Sequence, residues 1–208
     1  MFDENIIHNL LNQVEQINPR NISDYKKIGE LATKLRPFAD TVIDVIRPRL
    51  LGLAKPWHEL TPDEEVLCQS YISVLIDLQT GSACQTLLEV KVQFDESVSL
   101  CDELDEGIAY LITLPILPPD ALTLELTSAA FRAKIRGNVN AMVGICIELS
   151  AMPSYGHPSV QVLENVRSLL VDDDTLICML QPLILHIAEK TQLPEFEAFG
   201  SKASELCK

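Results

Sequence analysis

Apolar positions recur along this chain at helical spacing. Phe2, Ile6, Leu10, Val14 and Ile17 step by four, four, four and three, which lays one stripe on a helix over 2–17. Asn18-Pro19 ends that helix. Asn21 or Ser23 can cap the next one, because a short side-chain oxygen accepts from the unpaired amides of a first turn. It is expected to run to about Arg36, with Pro37 interrupting it and apolar residues continuing through Val42, Ile43, Val45 and Ile46 to Pro48. Residues 52–61, with Gly52, Pro56 and Trp57, read as a loop. Thr61-Pro-Asp-Glu has the cap, the first-turn proline and the acid three residues on that open a helix, expected to end near Gly81.

The clearest pattern covers 83–114. Leu87, Val90, Phe94, Val98, Cys101, Leu104, Ile108 and Leu111 step by three and four, close to a heptad seam. Leu88, Val90, Val92 and Phe94 also alternate, so a short strand at 87–94 competes. The helical stripe outlasts the alternation and favours one long helix. Pro115, Pro118 and Pro119 then break the chain, and Asp120 is placed to cap a helix through Ala133. Further helices are expected from Gly137-Asn138 to Ala151, at 159–170, at 174–191 around Pro182 and at 195–207, with a loop at 153–158.

The pattern predicts a mainly α protein, an irregular multi-helix bundle of eight to ten helices without a fixed repeat. It is either one compact helical domain over 1–208 or two tightly packed subdomains dividing near 115–120. Composition agrees, since the chain is 47% hydrophobic but only 5% aromatic, and its apolar residues are mainly Leu, Ile, Val and Ala. The longest uncharged runs, 107–119 and 175–188, contain proline and fall short of the roughly 18 apolar residues of a membrane span. MFDENIIHNLL has no basic signal-peptide start. The expectation is a cytoplasmic protein. Cys68, Cys84, Cys101, Cys146 and Cys178 lie in apolar runs and are expected as buried, reduced thiols, with Cys207 exposed near the terminus.

Charge changes the picture. The formal net charge is −14, and residues 61–125 carry thirteen acids against one base, Lys91. Residues 1–60 balance at eight and eight. Such a field attracts cationic partners and repels nucleic acid and anionic membrane. The densest part is Asp95, Glu96, Asp102, Glu103, Asp105 and Glu106, with Glu89 before it and the uncharged segment from Gly107 after it. An acidic face beside an apolar one suits a basic amphipathic helix, so these six acids and Tyr110 are the expected partner-binding residues.

Other candidates carry less chemistry. His8, His58, His157 and His186 have no zinc-ligand spacing, and Asp172-Asp173-Asp174 reads as a helix start, since it lacks the rest of a calcium loop. Arg132, Lys134 and Arg136 suit a helix C-terminal end. No GxSxG, GxxxxGK[ST] or GxGxxG occurs. The sequence therefore predicts no catalytic residue, cofactor or metal. A rival enzyme would draw on loop residues Trp57, His58, Tyr155 and His157, and a second rival is an acidic regulatory protein that mimics nucleic acid.

The length, the acidity and the block LCDELDEGIAYLITLPILPPD together resemble the LvgA-like small acidic adaptors of the Dot/Icm type IV secretion coupling complex. The likeness is of the whole chain and rests on no motif. It implies a non-enzymatic adaptor or chaperone with no catalytic or ligand residue to carry over. It also implies protein partners: an IcmS-like adaptor, the C-terminal tail of a DotL-like coupling ATPase, and effector proteins presented for export.

Overall fold

The computed structural model describes residues 2–19, 21–55, 59–94, 98–138, 141–142, 144–145, 148, 174–179, 181–191 and 194–207. Among these the protein is all-α and contains no strand. The chain divides into two compact units, Met1–Leu117 and Pro118–Lys208.

The first unit opens with α1 (Phe2–Glu15), which buries Ile7, Leu11 and Val14. Ile6 is exposed, so the buried stripe is turned by about one position from the one expected. Asn21 caps α2 (Ile22–Leu35), its side chain accepting from the amides of Ser23 at 2.9 Å and Asp24 at 3.2 Å. Pro37 lies in a 3₁₀ turn, Arg36–Phe38, and α3 (Ala39–Leu53) carries on through Pro48 rather than ending there. Thr61 caps α4 (Pro62–Leu78) in a full capping box: Thr61 Oγ1 accepts from the Glu64 amide and Glu64 Oε2 from the Thr61 amide. That backbone bond, with Lys55 next, holds the Glu64 carboxyl down at about 2. Gln79 ends α4 at a φ of 55°, and Gly81 opens the next helix instead of closing this one.

The expected single helix over 83–114 is two helices, α5 (Gly81–Gln93) and α6 (Val98–Ile112). Residues 87–93 are helical, so the competing strand at 87–94 is absent. The break falls at Phe94, which turns extended (φ −70°, ψ 123°). Leu87, Val90, Phe94, Leu104, Ile108 and Leu111 are nevertheless all buried. One apolar stripe serves two helices that fold back on each other. In the centre of the unit, α4 packs against α1, α2, α3, α5 and α6.

The second unit contains α7 (Pro119–Ile135), α8 (Asp174–Met179), α9 (Gln181–Thr191) and α10 (Pro194–Leu206). α7 starts behind Pro118 with no side-chain cap, so Asp120 does not have the capping place expected of it. It ends in a Schellman turn: Gly137 takes a φ of +72°, its amide reaches Lys134 O, and the Asn138 amide reaches Ala133 O. α8, α9 and α10 pack on one another around Ile177, Ile184, Phe199 and Ala203.

A disulfide joins Cys178 to Cys207 with their Cα atoms 5.5 Å apart. This corrects the expectation of a buried, reduced thiol at Cys178. The packing of α8 on α10 brings together two cysteines 29 residues apart. Cys68 and Cys84 are buried thiols, and burial pushes Cys68 up to about 12. The expected helix at 159–170 and loop at 153–158 lie outside the described residues.

Candidate functional site

Three helices of the first unit, α2, α4 and α6, enclose a groove of about 930 Å³. Two glycines allow the close approach. A Cβ on Gly107 of α6 would collide with Ile76 of α4. A Cβ on Gly29 of α2 would stand 3.0 Å from the Asp77 carboxylate. Ile72 and Ile76 give the groove an apolar lining, and Tyr25 and Tyr110 stand exposed along it.

Its charge is one-sided. Among the described residues, Glu30, Asp77, Glu103 and Glu106 line it against a single base, Lys26. Tyr25 donates its hydroxyl proton to Glu103 Oε1 at 2.7 Å, bridging α2 to α6. Burial, then the bond to Glu103, pushes Tyr25 up to about 12. Burial also raises the Glu103 carboxyl despite the Tyr25 bond, and Glu106 and Glu65 add to the effect. The second oxygen of Glu103 is buried without a hydrogen-bond partner. Burial raises Asp77 likewise, with Arg36 opposing. Arg36 Nη2 donates to the Asp77 backbone carbonyl at 2.6 Å rather than to its carboxylate. Gln79 Nε2 donates to the Tyr110 hydroxyl at 2.7 Å and ties the end of α4 to α6.

The acidic block is thus split by its surroundings. Glu103, Glu106 and Tyr110 line the groove. Asp102 is exposed and not part of the lining. Asp105 is ion-paired with Lys91 of α5, which is only 2% exposed. Glu89 takes a two-pronged bond from Arg47, at 2.7 and 3.0 Å. The block therefore receives more internal compensation than its sequence suggests. Asp95 and Glu96 lie outside the described residues. Tyr25, Glu30 and Asp77 were not expected at a site, because helices far apart in sequence bring them to Glu103.

A second polar cluster stands apart from the groove. The Tyr71 hydroxyl donates to Glu15 Oε1 at 2.6 Å and accepts from Arg49 Nη1 at 2.9 Å. Arg49 also pairs with Glu15. The cluster ties α1, α3 and α4 and has the marks of a structural clasp.

The remaining candidates are dispersed. His8 is exposed on α1, and His186 lies on α9. Asp174 opens α8, exposed, 3.8 Å from Lys202. Trp57, His58, Tyr155, His157, Asp172 and Asp173 lie outside the described residues. Among the described residues no group of three or more His, Cys, Asp or Glu side chains could hold a metal ion. No helix there is long and apolar enough to cross a membrane.

No protein-family model matches the chain, and no curated protein or solved structure matches it.

Proposed function

We propose that this chain is a non-enzymatic adaptor that takes basic, helical segments of partner proteins into the groove between α2, α4 and α6. The observation that carries this reading is the lining: four carboxylates against one lysine among the described residues, with a Glu103 oxygen buried and unbonded. A buried acceptor without a donor costs free energy that an incoming ammonium or guanidinium would recover. Ile72, Ile76 and the two tyrosines offer apolar surface for the rest of such a segment. The same reading extends the likeness to secretion adaptors. The partners are then an IcmS-like adaptor, a DotL-like ATPase tail and effector proteins bound for export.

The test is binding of a labelled amphipathic helical peptide with lysines and arginines on its polar face, against a matched peptide with glutamines there. The basic peptide should bind more tightly, and Asp77→Asn with Glu103→Gln should remove most of the difference. Burial raises both carboxyls, so protons compete with the peptide above the ordinary carboxylate range. Affinity should therefore increase as pH rises through that range and then level off. Equal binding of the two peptides, or a double variant that binds like wild type, would sink the reading.

A further inference from the structure

α7 has two apolar faces, and the fold uses one. Leu122, Leu126, Ala129, Ala130 and Ala133 are buried on the first. At 100° per residue, Leu124, Ser128, Phe131 and Ile135 form a second stripe on the opposite side, stepping by four, three and four. Ile135 is 84% exposed, Leu124 65% and Phe131 39%. A helix apolar on both sides is normally enclosed on both sides, and a three-four stripe is the seam along which helices pair.

We propose that this seam is the contact of a symmetric dimer, in which a second copy of the chain lays its own α7 antiparallel on the first. The seam is complementary to itself only in that direction. Antiparallel register sets Leu124 opposite Ile135 of the second copy and the small Ser128 opposite its Phe131. The charges agree with the same register. Glu125, Arg132 and Arg136 share one flank of the stripe. In an antiparallel pair like flanks face each other, so each Glu125 falls between Arg132 and Arg136 of the other copy. The two-fold axis repeats the arrangement. A parallel pair would instead face that flank with the opposite one, on which Lys134 lies, and so set cation against cation. A helix of 17 residues spans about 25 Å and buries a modest area, so association should depend on concentration.

The experiment is sedimentation velocity of the full chain over the micromolar to submillimolar range. Wild type should move from monomer to dimer. Leu124→Glu and Ile135→Glu change exposed positions, so helicity should persist while each weakens self-association by about tenfold or more. Glu125→Arg should weaken it too, and adding Arg132→Glu with Arg136→Glu to that variant should restore it. Monomer at every concentration overturns the proposal. So does a dimer indifferent to Leu124→Glu and Ile135→Glu, a charge swap that restores nothing, or a dimer that a non-reducing gel traces to an intermolecular disulfide.

Discussion

Replacing Tyr71 by phenylalanine isolates the clasp between α1, α3 and α4. The ring stays, so no cavity forms and the change is the loss of one hydroxyl. That hydroxyl donates to Glu15 at 2.6 Å and accepts from Arg49 at 2.9 Å, and Tyr71 is only 1% exposed. Each is a hydrogen bond to a charged group, the kind that contributes about 1.5–3 kcal/mol net. Two effects reduce the sum. Arg49 and Glu15 keep their own ion pair, and both side chains reach water, which can replace part of what is lost. The expected loss is therefore about 1.5–2 kcal/mol, below that of two independent bonds. Urea unfolding followed by helical circular dichroism would measure it, with the midpoint falling and the slope unchanged. The alkaline limb gives a second reading. Burial, then the bond to Glu15, pushes Tyr71 up to about 12 from an ordinary 10. A pKa raised by folding means the folded state holds its proton more tightly. Its stabilising contribution is full below pH 10 and lost as pH rises towards about 12. Wild type should weaken over that interval, and Tyr71→Phe should weaken less. A midpoint shift worth under about 0.5 kcal/mol, with an unaltered alkaline limb, would show that the clasp adds no stability.

Leu104 is fully buried on α6, so Leu104→Asp should cost several kcal/mol and abolish cooperative melting; an unchanged melting temperature would place that stripe outside the core. Thr61→Ala removes the cap of α4 and should cost about 1 kcal/mol in urea unfolding, while Thr61→Ser should restore most of it. Reducing Cys178–Cys207 opens a loop of 29 residues and should lower the stability of the second unit by about 3–4 kcal/mol on the chain-entropy estimate; equal melting with and without dithiothreitol would contradict the pairing.

Local chemistry was the legible part of this fold. Asn21 and Thr61 announce their helices because capping needs only a side chain and the next three amides. The division of 83–114 escaped the periodicity because both helices bury the same stripe and its phase hides the break. A cue existed in Asp95 and Ser97, cap-forming residues in the middle of an apolar pattern. The groove was half legible. Glu103, Glu106 and Tyr110 stood out by charge and neighbourhood, whereas Tyr25, Glu30 and Asp77 depend on which helices pack together. Gly29 and Gly107 were the sequence's only marks of that close approach. The Cys178–Cys207 pair left no trace, because spacing alone does not state connectivity.

The central place of α4 has a kinetic consequence. It packs against α1, α2, α3, α5 and α6, and both walls of the groove lean on it. α1 or α5 can fray while α4 keeps most of its neighbours, but α4 cannot open without releasing all of them. Its backbone amides should then be the slowest in the unit to exchange with deuterium, through complete opening alone, while those of α1 exchange by local openings. The groove's fourth wall is thus time: its shape lasts as long as the unit itself stays folded.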